Sequence, residues 1–320
     1  METFSLTRYL YPTIEVKQSL LLALLDRELD EALFWTFELF YSNDYIDDSL
    51  LDTSTFDYIC ELYEHFYKKL NPDIESWIQK KLLLIDPAIA VASLVQTLIY
   101  RQYSIVEFIE AFLHIKCQDN QDLRVNGKLR ILLSQENIIK YATLSTDSPR
   151  TLLKSVCRFP IRRNTAVLFN TFIPDNLVNI WFYDWLYYAS NTLIWSHRIQ
   201  QFDGIVKVYR LICSQTATNQ QETHILLEDK CIYPPKEINH DTKTVEFDDD
   251  EYDENDMTRF ELFHNKWNFE PDEQSLELQK RIIGQHIDGT VQMDIRAFCD
   301  KYGAHIPTRK LKLRNVLALS

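Results

Sequence analysis

Glycine is nearly missing from this chain, with five residues in 320. Glycine supplies left-handed corners and the tight turns whose backbone N–H groups cradle phosphate. So few argue against a dinucleotide-binding α/β sheet or a P-loop site and favour long helices joined by polar loops. The nearest approach to a phosphate loop is Gly284 to Gly289. It continues with Thr290 and Val291, where that motif needs Lys and then Ser or Thr.

Other chemistries fail in the same way. No His-Glu-x-x-His pattern occurs, and the eight histidines are scattered. An EF-hand starting at Asp250 would need glycine in its sixth position, where Asn255 stands. Six cysteines, Cys60, Cys117, Cys157, Cys213, Cys231 and Cys299, include no Cys-x-x-Cys pair and read as free thiols of a reducing compartment. Cys157 with a distant histidine, or His197 as a base, are bare possibilities that no spacing selects. No signal peptide is visible at the N-terminus. The longest central uncharged run, Pro87 to Tyr100, is too short to span a bilayer and reads as a buried helix. These absences lead us to expect a protein of the cytoplasm with no cofactor, no metal and no membrane insertion.

What is present is aromatic, acidic and helical. Aromatics reach 13% of the chain, and the net charge is −13. Proline-start caps at Pro12-Thr13, Asn71-Pro72 and Asp86-Pro87 predict helices from about 14, 72 and 87. Others are predicted from Asp30 to Tyr41, from Ser54 or Thr55 to Leu70, from the capping box Ser104–Glu107 to about Ile115, and from Ser148-Pro149 to Cys157. An aromatic helix from Asp175 or Asn176 to Tyr188 reads as packing rather than as a base-stacking platform. These give helical hairpins at 14–42, 55–84 and 87–116, too unlike one another for a solenoid.

Texture changes at Gly204. Ile205–Cys213 and Thr223–Leu227 read as a β-hairpin, 240–256 as a solvated acidic loop, and Pro271–Ile283 and Val291–Tyr302 as helices. The basic tail Lys310–Arg314 alternates like an edge strand. The expected fold is mainly α: an irregular bundle of αα-hairpins over 1–203 and a smaller mixed α+β region over 204–320.

One segment reverses the sign of the charge. Arg124 to Arg163 holds nine bases and two acids. If 149–158 is helical, Arg150, Lys154 and Arg158 recur every fourth residue, advancing about 40° per step, and share one face. Pro160 ends that helix, and Arg162 and Arg163 extend the charge. These five cations are the candidate contact for a polyanion or for an acidic partner. The competing reading is that acidic segments of this same chain neutralise them.

The segment Glu15-Val16-Lys17-Gln18-Ser19-Leu20, with Glu31-Ala32-Leu33-Phe34-Trp35-Thr36-Phe37-Glu38-Leu39-Phe40-Tyr41-Ser42, resembles the opening of uncharacterised proteins from nucleocytoplasmic large DNA viruses. Trp267-Asn268-Phe269-Glu270-Pro271-Asp272-Glu273-Gln274-Ser275 is similar to their C-terminal part. The resemblance covers under a fifth of the chain. It implies a virion or infected-cell setting and supplies no active site. The sequence reading is therefore a non-enzymatic structural or interaction component with a protein partner or homo-oligomeric state. A nucleic-acid-binding accessory factor using 124–163, and an enzyme with a dispersed active site, are its rivals.

Overall fold

The computed structural model describes residues 4–46, 49–50, 54–81, 86–112, 135–139, 141, 158–169, 171, 174, 177–209, 212–213, 225–226, 242–247, 257–267, 274–284 and 293–303. Helix dominates among the described residues, and the described strands pair two by two.

Two central helices set the frame. The first, α1 (Thr13–Asp26), is buried around nearly its whole circumference, its polar Glu15, Gln18 and Ser19 included, and only Ile14, Lys17 and Asp26 escape full burial. A helix enclosed on every side lies inside a larger body. It ends on Arg27 in the left-handed region (φ 62°). The Arg27 N–H donates to Leu24 O and the Glu28 N–H to Ala23 O, which satisfies carbonyls left open at the helix end. This sharp stop turns the chain at once into α2 (Leu29–Asn43), buried from Glu31 to Ser42. A small hairpin of β1 (Tyr45–Ile46) and β2 (Ser49–Leu50) follows.

Asp44 then opens α3 (Ser54–Leu62), its carboxylate accepting from Ser54 Oγ at 2.7 Å and Thr55 N at 2.9 Å. The helix widens into a π-turn over Tyr63–Tyr67, where Lys68 N reaches back to Tyr63 O at 2.8 Å. The expected continuous helix to Leu70 is thus interrupted. Before α4 (Asp73–Lys81), Asn71 does not cap through its side-chain oxygen, which is buried without a hydrogen-bond partner. Its Nδ2 donates to Tyr67 O at 3.0 Å and to Gln102 O at 2.7 Å, so the residue ties two turns together. Asp86 does cap α5 (Pro87–Ile99), accepting from Ala88 N at 2.8 Å. This helix packs across α1, α2 and α3. The short helix α6 (Val106–Phe112) packs against the π-turn, and α7 (Gln135–Ile139) against α5.

The aromatic stretch is two helices, α8 (Leu177–Tyr183) and α9 (Trp185–Ala189), broken at Asp184. Trp181 and Trp185 are buried, whereas Tyr183 is 82% exposed. With α10 (Leu193–Gln200) these helices clasp the N-terminal residues: Leu6 N donates to Tyr188 O at 3.1 Å and Trp195 Nε1 to Thr7 O at 3.0 Å.

Beyond Gly204, β3 (Ile205–Tyr209) does not pair with the 223–227 segment. Its antiparallel partner is β6 (Thr242–Glu246), in the register Ile205↔Glu246 to Tyr209↔Thr242. The segment 242–246, expected in a solvated loop, is therefore a strand, because its β-branched Thr242, Thr244 and Val245 suit the pleat better than the acidic run beyond it. The expected hairpin keeps only β4 (Ile212–Cys213) with β5 (Ile225–Leu226).

Three helices follow: α11 (Arg259–Lys266), α12 (Leu276–Ile283) and α13 (Ile295–Tyr302). The first was not expected. The others are shorter than their sequence ranges because Ser275 and Asp294 cap them from inside those ranges. Phe263, Ile282, Ile283 and Phe298 belong to the same buried apolar cluster as α1 and α2. The core thus runs through Gly204 into the C-terminal region.

Candidate binding cleft and the basic segment

The basic segment can be followed where it is described. Arg150 and Lys154, with their expected helix, lie outside the described residues. Arg158 is half exposed and approaches Asp30 Oδ2 at 3.4 Å. Arg162 is bound more closely: its backbone N–H donates to Ser19 Oγ at 2.9 Å and its Nε to Glu31 Oε1 at 2.7 Å. Its two terminal nitrogens reach Glu31 Oε2 and Asp26 Oδ2. Arg163 is buried and binds both oxygens of Glu15 through Nε and Nη2. The observed partners of all three arginines are carboxylates of α1 and α2.

Those carboxylates are themselves shared. Glu31 Oε1 also accepts from Trp35 Nε1 at 3.0 Å, and Asp26 Oδ1 meets Lys301 Nζ at 3.0 Å. Glu15 is fully buried, and loss of water pushes its carboxyl up to about 7 against the opposing pull of Arg163. The arrangement clips 158–163 onto the α1–α2 hairpin and leaves little of Arg162 or Arg163 to face a polyanion.

A different surface is concave. An open cleft of about 250 Å³ lies between α1, the α3 π-turn region, α6 and the residues Phe169 and Thr171. Ile14, Lys17, Gln18 and Leu21 line one wall at helical spacing i, i+3, i+4 and i+7. Glu61, Leu62, His65 and Phe66 line the facing wall across the π-turn. π-Turns inside α-helices recur at functional sites because the extra residue re-aims side chains.

The cleft is graded in polarity. Leu21, Leu62, Phe66 and Phe108 are buried at its base, and the Phe66 and Phe108 rings stack at 4.9 Å. Lys17, Glu61 and His65 stand at the rim, with Lys17 Nζ 5.5 Å from the Tyr58 ring centre and His65 Nε2 4.0 Å from Glu61 Oε1. Gln18 is buried but polar: it donates to Thr165 Oγ1 and accepts from Thr171 Oγ1 at 3.3 Å.

The arrangement suits binding better than covalent chemistry. Burial first, then the charges of Asp57 and Glu64, push the nearby Cys60 thiol up to about 12, so it is not a ready nucleophile. His197, the sequence's candidate base, sits on α10 with its Nε2 3.0 Å from Gln201 Nε2. Among the described residues, no three His, Cys, Asp or Glu side chains converge as a metal site, and no helix is long and apolar enough to cross a membrane.

Sequence reasoning missed the cleft. Its walls come from residues up to 157 positions apart, and the π-turn has no sequence signal. The i, i+3, i+4, i+7 set on α1 was readable, but it looked like any core face. Comparison with known proteins finds no matching family model, no matching curated protein and no matching solved structure.

Proposed function

We propose that this chain is a non-enzymatic interaction component that receives a short segment of a partner protein in the α1–π-turn cleft. The resemblance in its opening and C-terminal segments suggests the setting, a large DNA virus or its infected-cell compartment. The observation that carries this reading is the cleft itself, with an apolar base, a charged rim and a π-turn in its wall. Its volume of about 250 Å³ falls below the roughly 300–1,000 Å³ of small-molecule sites and suits one or two inserted side chains. Lys17, His65 and Glu61 offer both signs of charge to a peptide backbone or flanking side chain.

The polyanion reading through 124–163 is weakened because Arg162 and Arg163 are engaged by Asp26, Glu31 and Glu15. The test is affinity purification from the native cell with mass spectrometry, with and without nuclease, comparing the parent with Thr171→Arg, which fills the cleft from its edge. A nuclease-resistant partner lost in Thr171→Arg supports the proposal. A partner retained by that variant overturns it. So does binding of purified protein to arbitrary DNA or RNA with a steep salt dependence.

A further inference from the structure

Arg8 and Arg198 bring two guanidinium groups into the interior around a single carboxylate. Arg8 precedes α1 and is 2% exposed, Arg198 on α10 is 3% exposed, and Glu38 on α2 is fully buried. Glu38 is already committed: Oε2 accepts from Arg8 Nε at 2.9 Å and Oε1 from Tyr9 N at 3.0 Å. Arg198 lies between two indoles, 4.5 Å from the Trp195 ring centre and 4.0 Å from that of Trp267. Ring faces soften a buried cation but accept only weak N–H···π bonds, far short of an oxygen acceptor.

Four buried donors here have no hydrogen-bond partner: Arg8 Nη1, Arg198 Nε, Arg198 Nη1 and Trp267 Nε1. Buried donors are almost always satisfied, so a cluster of orphans that are all donors points to an acceptor. A cation buried without an anion is also heavily disfavoured. The charge-assisted N–H bonds of a guanidinium favour the oxygens of a carboxylate or phosphate.

We propose that the Arg8–Arg198 pair, walled by Trp195 and Trp267, is a binding site for a small free oxyanion, a carboxylate or inorganic phosphate. Arg198 offers Nε on one edge of its guanidinium and Nη1 on another, and Arg8 Nη1 and the Trp267 indole complete the donor set. Burial of both arginines favours a free ion over an acidic side chain, which would have to draw its own backbone into the interior. Trp267, at the C-terminal end of α11, is only half buried and forms the outer wall. Burial, the largest influence, together with the nearby Arg8 charge pushes the Arg198 guanidinium down to about 9, the direction that an entering anion reverses.

The test is thermal unfolding of the full chain in phosphate or acetate against chloride at matched ionic strength, with titration calorimetry of the parent. The expected result is a saturable rise in Tm, about 3 °C or more at a hundredfold excess over Kd. It should vanish in Arg198→Met, shrink in Trp267→Leu and persist in Lys68→Gln, which alters a remote surface ion pair. Trp267→Leu and the calorimetry decide the matter should Arg198→Met fail to fold. No heat and no Tm rise, or an equal rise in the Trp267→Leu and Arg198→Met proteins, overturns the proposal. Tighter binding of an acetylated glutamyl peptide than of acetate overturns the free-ion assignment in favour of a tethered acid.

Discussion

Arg163 closes onto Glu15, 148 residues earlier, through two parallel N–H to carboxylate bonds made inside the core. A buried pair of this kind adds little relative to apolar residues of the same size, yet breaking it leaves one charge stranded. Arg163→Met should therefore cost about 3–5 kcal/mol at pH 8. Glu15→Leu combined with Arg163→Met should recover most of that loss. Urea unfolding of the two singles and the double closes the cycle, and strictly additive losses would show that the two side chains are not coupled.

The same carboxylate sets a pH dependence. Its folded value near 7 lies above the ordinary value of 4.5, so the folded protein holds the proton more tightly than the unfolded chain. The resulting stabilisation is complete below pH 4.5 and is lost as pH rises through 7. The loss attributable to Glu15 over that window is about 3 kcal/mol. Glu15→Gln keeps the shape and removes the titration. The difference in unfolding free energy between parent and variant should slope with pH from 5 to 7 and flatten above 7.5. A difference that is constant across this window would show that Glu15 is ionised throughout.

Gly284 sits at φ 71° and ψ −161°, a region that residues with a Cβ scarcely enter. An added Cβ would also stand 3.2 Å from Ile161 Cγ2 and 3.5 Å from the Arg163 guanidinium carbon. Gly284→Ala should cost about 1–3 kcal/mol. Thermal melts of the parent and the variant provide the measurement.

Phe298 packs against Phe108 at 5.8 Å, Phe169 at 5.6 Å and Tyr302 at 4.9 Å. Phe298→Ala should cost about 3–5 kcal/mol, because the site is enclosed by rings drawn from both halves of the chain. The loss should appear in one cooperative transition, with helical ellipticity and tryptophan fluorescence melting together. Two separated transitions would show the division at Gly204 that the sequence texture suggests.

Local chemistry was the legible part of this fold. Asp86-Pro87 announces α5 because cap and N1 proline act within three residues. The long apolar helices before Asn43 are readable from composition alone. Thr258 and Glu261 form a capping box that was equally local, yet the acidic residues before it masked the start of α11. Distant relationships were not legible. Nothing in Arg162 or Arg163 names Asp26, Glu31 or Glu15 as partners, and the pleat of Ile205–Tyr209 accepts 223–227 as readily as 242–246. The cleft shares this fate, because spacing in the chain does not encode which helix faces will meet.

Asp26 joins places that are far apart in time as well as in sequence. Its two oxygens hold Arg162 and Lys301, the latter 275 residues downstream. During ribosomal synthesis at about 5–20 residues per second, Lys301 emerges roughly 15–55 s after Asp26. The α1–α2 hairpin must spend that interval without its last clasp, its apolar faces open to chaperones or to the nascent chain of a neighbour.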